Sequence, residues 1–386
     1  MVHRGLGIAR PQGKVVFIPA VIPGETVSVE ITEEKASYSH ARLIKVIDPS
    51  PDRITPECSY FPECGGCQLA HIEYRHQLDL KRTALLETML RVAKFDPGPS
   101  LENPVAADRP LRYRSRVRLH VRAGVVGFKS FQGDRLVEID DCLLARDEIR
   151  EAMPALKKLL GGLSREKDFE VELDLEPGSG KVYAQPRARK NMVYLFERGQ
   201  FATAALSRKE LLRLNSFVQP NPGQNTKLTA LVTGLVKEQK AQSGLELFAG
   251  SGNLSFGLAS ELKKLACVEL NKNAVELARI TAREKGADNL KFFSQASESY
   301  LQYAAKNRLR VDLVILDPPR TGAKKESEKI VKLFPQKIIY ISCEPSTLAR
   351  DLKIYIDSGY RLEQMIPIDM FPQTFHIETV SLLSKS

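Results

Sequence analysis

The sequence predicts an α/β protein whose C-terminal part is a parallel, doubly wound sheet. Two observations carry this. From about residue 225, apolar stretches of strand length alternate with stretches of helical periodicity. A glycine-containing turn, Phe248-Ala249-Gly250-Ser251-Gly252-Asn253, also follows the first of these strands and opens a helix, which builds a ligand site at the end of an α/β strand. A third pattern precedes them. Residues 1–50 read as short strands split by turn signals, which predicts a small β-barrel.

In chain order, residues 14–18, 26–31 and 41–47 are the barrel strands, and Pro49, Pro51 and Pro56 form a stiff linker. Residues 51–215 form a mixed α+β central domain holding four cysteines. The C-terminal domain, 216–386, starts with a helix at 226–240. Strands follow at 245–248 and 266–269, a helix at 273–285, and strands at 290–293, 311–316 and 337–341. A helix over 346–356 and strands at 360–368 and 379–383 complete the series.

Of 386 residues, 57 are Lys or Arg and 47 are Asp or Glu, a net charge of +10 that suits a nucleic-acid partner. No apolar run approaches the roughly 20 residues of a membrane span, and the N-terminus carries no apolar leader segment. A cytoplasmic protein without membrane attachment is expected, and nothing calls for an obligate protein partner. Disulfides are then unfavoured, so the six cysteines need other roles.

The glycine turn lacks the third glycine of the dinucleotide fingerprint, and Glu269 ends the next strand. A carboxylate there can accept from both ribose hydroxyls of a nucleoside. With Glu246 in the turn region, the site suits S-adenosylmethionine better than NAD. Asp317-Pro318-Pro319-Arg320 makes a rigid turn that holds Asp317 at the sheet edge. Cys343 ends the strand at 337–341, and the helix beginning near Ser346 is placed to lower its thiol pKa. Cys267 lies in an apolar strand and reads as core.

Cys58, Cys64 and Cys67, with the distant Cys142, are a four-thiol set of the kind that binds Zn²⁺ or an iron–sulfur cluster. Five residues and then two separate the first three, a spacing atypical of zinc knuckles. Gly65 and Gly66 let the backbone wrap a larger group. Arg112, Arg114, Arg116, Arg118, His120 and Arg122 share one parity and so one face of a strand. Unpaired, they form a rail for an RNA backbone. Paired with Glu138, Asp140 or Asp141, they do not.

Five motifs together resemble the S-adenosylmethionine-dependent RNA (uracil-5-)-methyltransferases, which make 5-methyluridine. They are Phe217-Val218-Gln219-Pro220-Asn221, the glycine turn, Asp317 to Arg320, Ser342 to Asp351, and Asp369 to Glu378. The resemblance implies a class I, Rossmann-like methyltransferase domain. Gln219, Phe248, Gly250, Asn253, Glu269 and Asp317 would contact the cofactor. Cys343 would be the nucleophile and Glu378 the base. The first 50 residues resemble a TRAM domain, an OB-like RNA-binding module. A subgroup of the family carries a 4Fe–4S cluster on the cysteine spacing seen here. This combination resembles the branch acting on 23S rRNA. Relatives with the same parts act on the T-loop of tRNA, and a non-catalytic RNA-binding protein is the other alternative. The chain departs from the family at Glu344, where Asn is usual, and at Ala296, where a polar residue is common. His376 suits orientation of substrate or base, and equally a structural role.

The chemistry explains the residue types. A thiolate adding to uracil C6 makes C5 nucleophilic toward a methyl donor. A base then removes the C5 proton so that the thiolate can leave.

Overall fold

The computed structural model describes residues 5–131, 133, 135–161, 168–187 and 192–385. The N-terminal Met1-Val2-His3-Arg4 lies outside them. The N-terminal strands are β1 (Gly7–Ala9), β2 (Val15–Ile18), β3 (Thr26–Glu34) and β4 (Tyr38–Asp48). They hydrogen-bond as a four-stranded sheet in the order β1-β2-β4-β3. Val16, Ile18, Val21 and Ala41 form its small core.

The stretch expected as one central domain divides between two cores. Helix α1 (Tyr74–Thr88) packs its Leu85 into the C-terminal core, with Met89, Ala93 and Leu101. The remainder builds a second sheet around helix α2 (Asp147–Gly161). Its strands are β5 (Arg116–Arg122), β6 (Val125–Lys129), β7 (Leu136–Glu138), β8 (Phe169–Leu175), β9 (Val182–Pro186), β10 (Tyr194–Glu197) and β11 (Gln200–Thr203). Their order is β11-β10-β9-β8-β5-β6-β7. Helix α3 (Arg208–Leu214) follows, closed by a capping box of Ser207 and Glu210.

Helix α4 (Pro222–Gln239) opens the C-terminal domain, with Asn221 as N-cap and Pro222 at the first helical position. Its sheet comprises β12 (Ser243–Leu247), β13 (Lys264–Glu269), β14 (Leu290–Ser294), β15 (Leu313–Leu316), β16 (Lys337–Ser342), β17 (Tyr360–Ile368) and β18 (Glu378–Lys385). Helices α5 (Ser255–Leu258), α6 (Lys272–Lys285), α7 (Ser297–Lys306), α8 (Lys324–Ile330) and α9 (Pro345–Asp357) connect them. The sheet order is β14-β13-β12-β15-β16-β18-β17. Apolar cores lie on both faces, as expected for a doubly wound domain.

One expectation needs correction. The sheet is not all parallel, because β18 runs antiparallel between β16 and β17. The connection from β17 to β18 covers only residues 369–377, too short for a parallel crossover. Among the described residues, no helix is long and apolar enough to cross a membrane.

Candidate active site

The reversed strand makes the site. β16 and β18 pair in a register that sets Ser342 opposite Thr379. Cys343 follows Ser342 and Glu378 precedes Thr379, so the two stand side by side at one edge of the sheet. Asp317 stands just beyond the end of β15, the other neighbour of β16. Glu378 is only 2% exposed, and its Oε1 has no hydrogen-bond partner among the described residues. A buried carboxyl oxygen without a partner is costly and available to a ligand.

Burial, then the charges of Glu378 and Asp317, push the Cys343 thiol up to about 12, and Arg320 opposes them. Burial and the two carboxyl groups thus outweigh any lowering by the helix N-terminus. Glu344 occupies that terminus. It is the N-cap of α9, and its side chain accepts from the Ser346 N–H at 3.3 Å. The helix end is thus satisfied by a carboxylate rather than by the thiol. Burial and the nearby Asp317 raise Glu378 well above the usual carboxyl range, again opposed by Arg320. Burial also pushes Asp317 up to about 7. Arg320 thus acts on both reacting groups, and its place in the Asp-Pro-Pro-Arg turn was the available signal for it. Its Nη2 lies 3.2 Å from His376 Nε2. The His376 ring packs on Phe375, with centroids 4.0 Å apart.

The turn after β12 forms the second part of the site. Phe248 and Gly250 both have positive φ, 61° and 56°. A Cβ at Gly250 would project into open space, which leaves the backbone accessible to a ligand. The Gly250 N–H donates to Glu269 Oε2 at 3.0 Å, and the Asn271 N–H to Oε1 at 2.7 Å. Asn253 exchanges amide hydrogen bonds with Asn225 of α4, and Gln219 is buried just before that helix. Ala296, the N-cap of α7, offers no side-chain hydrogen bond there.

The cysteines separate as expected into core and cavity. Cys267 is fully buried in the C-terminal core. Cys58, Cys64, Cys67 and Cys142 line one cavity of about 120 Å³. Burial raises the thiols of Cys64, Cys67 and Cys142, and each also senses the charge of other members of the set. Among the described residues, no group of three or more such side chains is arranged to hold a metal ion.

Residues 194–386 match the family described as tRNA (Uracil-5-)-methyltransferase, and residues 3–44 match the TRAM domain. The 23S rRNA (uracil(1939)-C(5))-methyltransferase RlmD of Shewanella sp. (strain ANA-3) is 33% identical, over 98% of this chain and 93% of its own length. The chain belongs to the RNA uracil-5-methyltransferase family. The protein of the same description from Pectobacterium atrosepticum is 31% identical, over 98% of this chain and 90% of its own. In fold, this methyltransferase matches the Pyrococcus abyssi tRNA (uracil-54, C5)-methyltransferase. The TM-score is 0.71 and the identity 22%, over 98% of this chain and all of the other.

The arginine stripe of this family member is not the free rail the sequence suggested. β5 pairs with β8 so that Arg116 faces Asp174, Arg118 faces Glu172 and His120 faces Glu170. Arg116 is ion-paired to Asp174, and Arg118 reaches Glu172 at 3.3 Å. Arg122 meets Asp168 at 2.8 Å. Such cross-strand opposite charges stabilise the sheet. The acids alternate as Glu170, Glu172 and Asp174, a matching stripe fifty or more residues away in the chain. Arg112 and Arg114 precede β5. Arg112 pairs with Asp147 at 3.5 Å, and Arg114 lines the cysteine cavity. Arg114, Arg116 and Arg118 also border a groove of about 540 Å³, with Arg187 and Phe217. Phe217 is 74% exposed there.

A buried ion pair outside the reacting groups ties α1 to the segment carrying the base. Lys81 Nζ lies 2.5 Å from Asp369 Oδ1, both almost fully buried. Lys81→Met should destabilise the protein by about 3–5 kcal/mol, because it strands the Asp369 charge. Urea denaturation monitored by circular dichroism measures this. Replacing both partners with apolar residues should cost less.

Proposed function

We propose that this chain transfers a methyl group from S-adenosylmethionine to C5 of a uridine in 23S rRNA. The carrying observation is the register of β16 and β18, which sets Cys343 beside a buried Glu378 with an unpartnered Oε1. The 23S rRNA assignment rests on relatives at 31–33% identity over nearly the whole chain. The reading is of a cytoplasmic enzyme.

The residues fit the cofactor. Gly250 leaves backbone open to it, Glu269 is held beside that backbone to accept from a ribose, and Gln219, Phe248, Asn253 and Asp317 are the further contacts of this reading. S-adenosylmethionine supplies the electrophilic methyl group. Cys343 gives its thiol proton to solvent, with Arg320 favouring the thiolate, and the thiolate Sγ adds to uracil C6. Glu378 removes the C5 proton after methylation, and the C6–S bond then breaks to release the thiolate. The exposed Phe217 and the groove beside it suit an RNA strand, with Arg118 and Arg187 on its border. Arg112, Arg114 and Arg116 are engaged within the protein.

Cys58, Cys64, Cys67 and Cys142 fit a 4Fe–4S cluster better than a single ion. They line one cavity of about 120 Å³, with Gly66 beside them, and their spacing is atypical of zinc knuckles. A cluster carries its thiolates on separate corners, whereas Zn²⁺ draws four thiolates to one centre. Anaerobic reconstitution should give a brown protein with about four irons per chain. Stoichiometric zinc in a colourless anaerobic preparation would overturn the cluster.

Methylation with labelled S-adenosylmethionine tests the activity. A 23S rRNA fragment should be labelled at one uridine. Labelling of tRNA alone would move the assignment to the T-loop, and labelling of neither would sink the enzymatic reading.

A further inference from the structure

The loop of residues 369–377 leads into Glu378, and its middle is tied to the cysteine cavity. Gln373 is the hub. It lines that cavity and is almost buried. Its backbone is left-handed, φ 67°, a conformation costly for a residue with a Cβ unless its surroundings hold it. Those surroundings are specific. The Gln68 and Leu69 N–H groups, directly after Cys67, both donate to the Gln373 carbonyl, at 2.9 and 3.0 Å. Gln77 of α1 donates from Nε2 to Gln373 Oε1 at 3.0 Å and accepts from the Gln373 N–H at 3.1 Å.

A second line runs parallel. Arg114 lines the cavity and senses the charges of Cys142 and Cys67. Its Nε donates to Tyr113 Oη at 3.4 Å, and the buried Tyr113 hydroxyl donates to the Pro372 carbonyl at 3.0 Å. Both lines end on adjacent residues, Pro372 and Gln373, five to six positions before the base. The start of the loop is held by Lys81, Asn221 and Gln224, whereas its middle, Pro372 and Gln373, is held from Gln77 and from the segments beside the cysteines.

We propose that Gln373 and Tyr113 are positioning residues that couple the loaded cysteine cavity to the base Glu378. A group bound by Cys67 and Cys142 fixes the 67–69 and 113–114 segments, and these fix the loop. Without that group the segments relax, and the loop draws the Glu378 end of β18 away from the C5 proton, while Cys343, directly after the central strand β16, stays in place. The proposal rests on the cluster and methyl-transfer readings above. It predicts that the second half of the reaction suffers more than the first.

The test uses the full chain, reconstituted anaerobically. Tyr113→Phe and Gln373→Gly should keep the visible absorption of the cluster and the KM for S-adenosylmethionine. Their kcat should fall about tenfold, the usual scale for loss of a supporting hydrogen bond. The fraction of enzyme caught as a covalent RNA adduct should rise. Amide hydrogen exchange over residues 369–377 should quicken in both variants, and in wild-type protein stripped with a chelator, while β14 at the far edge stays unchanged. Gln77→Leu repeats the measurement if Gln373→Gly does not fold. Exchange and adduct levels equal to wild type in a loaded variant overturn the coupling and leave the methyl-transfer reading intact. A cavity that takes up no iron–sulfur cluster, whether empty or filled by zinc, overturns the cluster reading and this proposal with it.

Discussion

Cys343→Ala should leave methyl transfer at background, a loss of about 10⁴-fold or more, and no RNA adduct on a denaturing gel. No other thiol can replace it. Cys267 is sealed in the core, and the remaining four line a separate cavity. The substitution removes one half-buried sulfur beside two carboxyl groups, so the fold should survive, as circular dichroism would establish. The free enzyme should also betray the raised thiol. With burial and two neighbouring carboxyl groups pushing it up to about 12, Cys343 is protonated at neutral pH. Only the thiolate alkylates. Iodoacetamide labelling should therefore be slow at pH 7 and climb about tenfold per pH unit, without a plateau below pH 10. A plateau near pH 8 would mean that the helix terminus does lower the thiol and that Glu344 does not pre-empt it.

Much of this site was legible in the sequence, and the gaps have physical causes. Cys343, Glu269 and Asp317 were visible because each ends a strand, where α/β sheets carry their chemistry. Periodicity gives a strand's faces but not its direction. The reversal of β18 was thus hidden, and with it the reason Glu378 meets Cys343. The arginine stripe was misread for a related cause. Parity correctly put Arg116, Arg118 and His120 on one face, but their partners, Asp174, Glu172 and Glu170, lie on a strand whose pairing only the fold reveals. The helix-dipole expectation for Cys343 was outweighed by burial and by the Glu378 and Asp317 carboxyl groups, which only the fold brings to it. A helix N-terminus stabilises whichever anion occupies it, and here Glu344 does so one position nearer than the thiol.

Glu378→Gln should separate the two halves of the reaction. Addition of Cys343 to C6 and methylation at C5 need no carboxylate at position 378, so both should proceed. The C5 proton then stays, and the methylated adduct should accumulate toward one per enzyme, while turnover falls about 10²- to 10⁴-fold. The amide is close in shape, and it removes a buried group whose Oε1 has no partner, so folding should be unharmed. The pH profile gives an independent check with a definite sign. Burial and Asp317 raise the Glu378 carboxyl, so the base form is lost as pH falls, and wild-type kcat/KM should rise with pH along an acid limb displaced above the ordinary carboxyl range. Asp317→Asn removes the neighbouring negative charge. Glu378 should then ionise more readily, and the acid limb should move to lower pH, whatever the change in cofactor KM. Movement of that limb to higher pH would show that Asp317 does not face the base. In Glu378→Gln the limb should vanish from any residual rate, because the group that titrates is gone.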